Sequence, residues 1–100
     1  MNVVFARPIH PGEFLREEYL RPLGISAGFL ARKLGLPRTR IERLAKEEVA
    51  LTADTALRLA RFFRTSPQFW MNFQLAYDLA KKERELSVTL SEIEPIEQAA

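Results

Sequence analysis

Gly35, Leu36 and Pro37 set a helix stop and a helix start within three residues, and this constrains the chain more than any other feature. Glycine supplies the positive φ that ends a helix, and proline suits the first turn of the next. A single residue between them leaves room for nothing but a tight turn. Leu30, Ala31 and Leu34 share one face of the segment before it, and Ile41, Leu44 and Ala45 share one face of the segment after it. Two amphipathic helices joined this way cross at roughly a right angle, which requires a small residue at the crossing and a branched apolar anchor on the second helix. Ala31, Gly35 and Ile41 meet those demands in order, and Leu36 and Leu44 add apolar cover. The stretch 27–46 therefore reads as a helix-turn-helix, a motif whose second helix enters the major groove of DNA.

Similar punctuation divides the rest of the chain. His10-Pro11-Gly12-Glu13 opens a first helix over about 11–20, stopped by Pro22, Leu23 and Gly24, and Ser26 caps the second helix. Thr52 caps a fourth, with Ala56, Leu57, Ala60 and Phe63 expected inward. Ser66-Pro67 opens a fifth, expected to face inward with Phe69, Trp70, Phe73, Ala76, Tyr77 and Ala80 and to end near Glu85. The expectation is an all-α, five-helix domain. At 100 residues and 47% hydrophobic content, the chain suits one core. Residues 86–100 hold three acids, no bases and Pro95, which predicts an acidic tail that is extended, frayed or ordered by a partner; Val88, Leu90 and Ile93 leave a short strand open.

With no Cys and one His, the sequence lacks the usual means for zinc sites, thiol redox motifs and histidine-based nucleophilic triads. Glu13, Glu17 and Glu18 lie close on the first helix, but nothing beside them supplies a nucleophile, metal cluster or phosphate loop. Neither an enzyme, a cofactor nor a metal is expected, and His10 reads as a turn or cap residue. No apolar run approaches the ~20 residues of a membrane span, so a soluble, cytoplasmic chain is expected.

Charge is unevenly placed. Residues 1–46 carry nine Lys/Arg against four Asp/Glu, and residues 47–100 carry six against nine. Between Arg32 and Lys46, six bases face the single acid Glu42, which is the footprint of a surface that meets phosphates. A solvated basic face is the alternative. In the helix-turn-helix register, Arg38, Thr39, Arg40 and Arg43 take the front and exposed face of the third helix, where arginine can read guanine O6 and N7. Ser26, Arg32, Lys33 and Lys46 are better placed for phosphates, although Ser26 also serves as a cap. Phe69, Trp70, Phe73 and Tyr77 form an aromatic stripe at helical spacing, suited to core or dimer packing. A Glu18–Arg58 ion pair between the first and fourth helices is a further expectation.

Over about residues 8–80 the sequence resembles the HigA family of antitoxins, within the Cro/CI-type (lambda repressor-like, XRE-like) helix-turn-helix group. The resemblance rests on Pro8-Ile9-His10-Pro11-Gly12-Glu13 with Leu15-Arg16-Glu17-Glu18, on Leu23-Gly24-Ile25-Ser26, and on Leu30-Ala31-Arg32-Lys33-Leu34-Gly35. Leu51-Thr52-Ala53-Asp54-Thr55-Ala56-Leu57-Arg58-Leu59-Ala60 and Thr65-Ser66-Pro67-Gln68-Phe69-Trp70, followed by Gln74, Tyr77, Asp78 and Leu79, complete it. It implies an antitoxin that binds a RelE-like (HigB-type) mRNA interferase toxin, forms a homodimer and represses its own operon at a palindromic operator. Residues 1–85 would then be the helix-turn-helix domain with a C-terminal dimerisation helix. A stand-alone Cro/CI-type regulator without a toxin would use the same DNA surface. Because such toxins are basic, Glu13 and Glu17 are candidate toxin contacts, with Glu92, Glu94 and Glu97 as an alternative. Two departures from the family pattern stand out. Ala45-Lys46-Glu47-Glu48-Val49 replaces an Asn-Gly-Lys-type loop, which places two acids near a phosphate path, and Ala27-Gly28 stands where relatives often carry a Gln that reaches the DNA backbone.

Overall fold

The computed structural model describes residues 7–97. Six helices fill them, and no strand occurs among the described residues. Helix α1 is continuous over 11–23, built from an α-helical turn Pro11–Leu15, a π-helical segment Arg16–Leu20 and a last turn Arg21–Leu23. It is followed by α2 (Ala27–Leu34), α3 (Arg38–Ala45), α4 (Ala53–Phe63), α5 (Pro67–Glu85) and α6 (Ser87–Ser91). The five expected helices are all present. The first runs one turn further than expected, because the π segment offsets the hydrogen-bond ladder just before Pro22, with the Arg21 N–H bonding the Arg16 carbonyl. Ser26, Thr52 and Ser66 accept from the backbone N–H groups of Phe29, Thr55 and Phe69, as N-caps should.

The core gathers Leu15, Leu20, Leu30, Ala31, Leu34, Ile41, Leu44, Leu51, Leu59 and Trp70. Two inward assignments change. On α4, Leu57 is exposed and Leu59 buried, since the buried Ala56, Leu59 and Ala60, with the half-buried Phe63, follow i, i+3, i+4, i+7. On α5, Ala76 is exposed and Gln74 buried, its amide accepting from the Leu51 N–H at 2.7 Å and donating to Asp78 at 2.8 Å. Helix α5 leaves the core after Tyr77, and residues 81–97 are exposed. A short helix, α6, stands within the tail that was expected to be extended, frayed or ordered by a partner, or to hold a short strand; residues 1–6 of the expected domain and 98–100 of that tail lie outside the described residues.

One contact fastens the start of α1 to α5, and two more bind α1 to the end of α3. His10 caps α1, its Nδ1 accepting from the Gly12 N–H at 2.9 Å, and its buried ring meets Tyr77 edge-on at 4.9 Å. Burial is the main cause that pushes the His10 imidazole below its ordinary pKa and so favours the neutral, hydrogen-bond-accepting form. Gly12 rests directly on the α3 backbone, where any Cβ would collide with the Leu44 carbonyl oxygen. One turn on, the Arg16 guanidinium donates to the Ala45 carbonyl and reaches Glu47 at 3.2 Å and Glu17 at 2.9 Å. The expected Glu18–Arg58 pair does not form. Glu18 is exposed, whereas Arg58 holds Asp54 at 2.7 Å and donates to the Leu34 carbonyl at 2.8 Å.

The end of α3 shows how the unusual loop is accommodated. At Gly35, with φ 71°, the Leu36 N–H bonds the Ala31 carbonyl and the Gly35 N–H bonds the Arg32 carbonyl, a Schellman closure. The same pattern recurs at Glu47, where the N–H groups of Glu48 and Glu47 bond the carbonyls of Arg43 and Leu44, yet here a glutamate occupies the left-handed position at φ 64°. That conformation costs a residue with a Cβ about 1–2 kcal/mol, while a partly exposed ion pair such as Glu47–Arg16 contributes about 0.2–1 kcal/mol. Glu47→Gly should therefore raise the unfolding free energy by about 0.5–1 kcal/mol in denaturant titration. A destabilised variant would show that the Arg16 pairing outweighs the backbone strain.

Candidate nucleic-acid interface

Helices α2 and α3 are placed by their buried faces, so their outer residues are set by subtraction. Leu30, Ala31 and Leu34 hold α2, and Ile41, Leu44 and Ala45 hold α3. Arg38, Thr39, Arg40 and Arg43 are consequently all exposed on α3, as the helix-turn-helix register requires. Pro37, rather than lying inside α3, caps its start in an extended conformation. Thr39, Arg40 and Arg43 border a shallow groove whose far wall is Val49, Thr52 and Asp54.

Each arginine on this face has an acidic neighbour. Arg38 lies 3.6 Å from Glu42, Arg40 3.8 Å from Asp54 and Arg43 3.8 Å from Glu48. All three are loose, solvent-exposed pairs, which hold the side chains near the surface at little energetic cost to breaking them. The acids of the unusual loop are thus engaged, Glu47 by Arg16 and Glu48 by Arg43.

The phosphate candidates occupy different settings. The Ser26 hydroxyl caps α2, accepting from the Phe29 N–H at 3.0 Å. Arg32 and Lys33 are exposed in the last turn of α2, with the Lys33 ammonium 5.4 Å from the Phe29 ring centre, and Lys46 is exposed where α3 ends. Gly28 serves a purpose that the sequence did not reveal. A Cβ there would meet Arg38 Cδ at 3.0 Å, so the missing side chain on α2 makes room for the stem of an α3 arginine.

Elsewhere, Glu13 takes a two-pronged contact from Arg7 at 3.0 and 2.8 Å, which holds its carboxyl below the usual carboxylate range, and Glu17 is paired with both Arg16 and Arg21. Trp70 is fully buried, its indole N–H donating to the Thr65 hydroxyl at 2.7 Å. Phe73 stacks on Phe14 at 4.3 Å and Phe69 meets the same ring edge-on at 5.4 Å. Of the four aromatics, Trp70 is core, and Phe69, Phe73 and Tyr77 are partly buried at its margin. Sequence reasoning missed Asp54, Glu48, Arg16 and Gln74 as partners. Asp54 and Arg58 alone left a signal, an i, i+4 acid–base spacing. Among the described residues, no group of His, Asp and Glu is placed to hold a metal ion, and no helix is long and apolar enough to cross a membrane.

Comparison with known proteins agrees with this fold. A helix-turn-helix family model matches residues 15–70. The sequence is 52% identical over 77 residues to virulence-associated protein I of Dichelobacter nodosus, covering 77% of this chain and 71% of that protein. It is 41% identical over 73 residues to antitoxin HigA-1 of Vibrio cholerae, covering 73% of this chain and 69% of that one. The fold superposes on the Pseudomonas aeruginosa antitoxin HigA, solved with the higBA promoter, with a TM-score of 0.87 at 43% identity over 91% of this chain and all of that one.

Proposed function

The chain belongs to the HigA family of helix-turn-helix proteins, and from that premise we propose that it is an antitoxin that represses its own operon by laying α3 in the major groove of a palindromic operator. The observation that carries this reading is the exposed face of α3, where three arginines stand clear of the core on a fold shared with a promoter-bound antitoxin. Arg38, Thr39, Arg40 and Arg43 read base edges in this account. Arg32, Lys33 and Lys46 meet phosphates, as does the capped start of α2 at Ser26, and set position rather than sequence preference.

A palindromic site calls for a two-fold dimer, whose half-sites lie about one DNA turn, roughly 34 Å, apart. The outer face of α5 offers apolar surface for this, since Leu75 and Leu79 are 58% and 59% exposed. Toxin neutralisation comes with the family, through a RelE-like (HigB-type) partner. Because such a partner is basic, the acidic side of α1 at Glu13 and Glu17 is the surface proposed for it, and Arg7, Arg16 and Arg21 must then share or yield those carboxylates on binding.

Equilibrium binding to the protein's upstream promoter DNA and to scrambled DNA tests the DNA half. Arg38→Ala and Arg40→Ala should each cost about 1–3 kcal/mol on the promoter and much less on scrambled DNA. Lys46→Ala should weaken both alike, and Leu79→Asp should reduce promoter binding by breaking the dimer. Uniform losses in all the arginine variants would show that they touch phosphate alone. For the toxin half, reversing Glu13 and Glu17 to Lys should slow association with the product of the neighbouring gene at least tenfold in a stopped-flow or biosensor measurement. An unchanged rate would exclude that side of α1.

A further inference from the structure

Asp54 links the turn of the helix-turn-helix to the outer face of α3. Its carboxylate stands in the first turn of α4, where Oδ1 accepts from Arg58 Nε at 2.7 Å and lies 3.8 Å from Arg40 Nη1. Arg58 in turn donates from Nη1 to the carbonyls of Leu34, at 2.8 Å, and Gly35, at 3.4 Å. A run of charge-assisted contacts therefore leads from the turn of the helix-turn-helix, through Arg58 and Asp54, to one base-facing guanidinium. The acids beside Arg38 and Arg43 lie on α3 itself or in the loop that follows it. Arg40 alone of the three is met by an acid from a different helix, and that acid is itself held by a side chain bonded to the turn.

Because Arg40 and Asp54 are each about half exposed, their pairing adds little stability. Its consequence is orientation. A guanidinium reads guanine through two N–H groups in one plane, and an arginine left to sample its rotamers loses entropy when it must adopt that pose. We propose that Asp54 is a positioning residue for sequence discrimination, holding Arg40 toward the base edge while its own negative charge weakens attraction to any DNA backbone. This rests on the reading of α3 as the base-reading helix. The repulsion acts on both kinds of DNA and the orientation on the promoter alone, which separates them by experiment.

Full-length Asp54→Asn, Asp54→Glu, Arg40→Ala and the Asp54→Asn/Arg40→Ala double variant are titrated with promoter and scrambled DNA at one fixed salt concentration. Asp54→Asn should bind scrambled DNA severalfold more tightly and the promoter no more tightly, so that the ratio of the two affinities falls at least severalfold. Asp54→Glu should restore most of the ratio, and in the Arg40→Ala background Asp54→Asn should leave it unchanged. If Asp54→Asn tightens binding to both DNAs by the same factor, Asp54 is a repulsive charge and the proposal is overturned. Loss of discrimination in Arg40→Ala with none in Asp54→Asn refutes the role of Asp54 while leaving base reading by α3 intact. A parent protein that fails to discriminate at all removes the base-reading premise and the proposal together.

Discussion

The geometry of the exposed arginine face of α3 depends on how α1 closes over the end of that helix. Gly12 lets the α1 backbone sit against the Leu44 carbonyl, and Arg16, one turn later, donates to the Ala45 carbonyl and holds Glu47. The last carbonyls of a helix have no partner within it, and a buried one left unpaired costs free energy on the scale of a lost hydrogen bond. Arg58 does the same for α2 at Leu34 and Gly35. Each helix of the helix-turn-helix is thus fastened at its C-terminal end by an arginine from a neighbouring helix. A shift at either end would tilt α3 and move its exposed arginines together.

This arrangement explains why the loop after α3 tolerates two acids. Glu47 occupies a left-handed position suited to glycine, but its carboxylate is turned to Arg16, and Glu48 is turned to Arg43. Neither stands as an isolated negative charge in the groove. The basic run from Arg32 to Lys46 is likewise tempered, since Glu42, Asp54 and Glu48 each stand within 4 Å of an arginine. Such a surface is expected to bind DNA in general less strongly than its arginine count suggests, and to depend more on oriented contacts with bases.

Much of this was legible in the sequence because the signals were local. Ser26, Thr52 and Ser66 announced their helices through cap chemistry, Gly35 its turn through left-handed geometry, and Ala31 and Ile41 the crossing through size and branching. What was not legible depended on contacts between distant segments. Arg16 and Ala45 are far apart in sequence, as are Gln74 and Leu51, and no periodicity connects them. The π segment escaped notice because Pro22 reads as a stop when a regular ladder is assumed. Gly28 looked like a lost DNA contact, and only in three dimensions does it also lie close under Arg38, whose Cδ a Cβ there would meet at 3.0 Å.

The most direct measurement is the affinity of the intact protein for its own upstream promoter DNA and for scrambled DNA of equal length, followed from low to moderate salt. The expected result is promoter binding at least about 10³-fold tighter than scrambled at physiological salt, with both constants falling linearly in log–log form as condensed counterions are released. Equal affinity for the two DNAs at every salt concentration, or no promoter binding at low salt, would contradict the assignment of α3 as a base-reading helix.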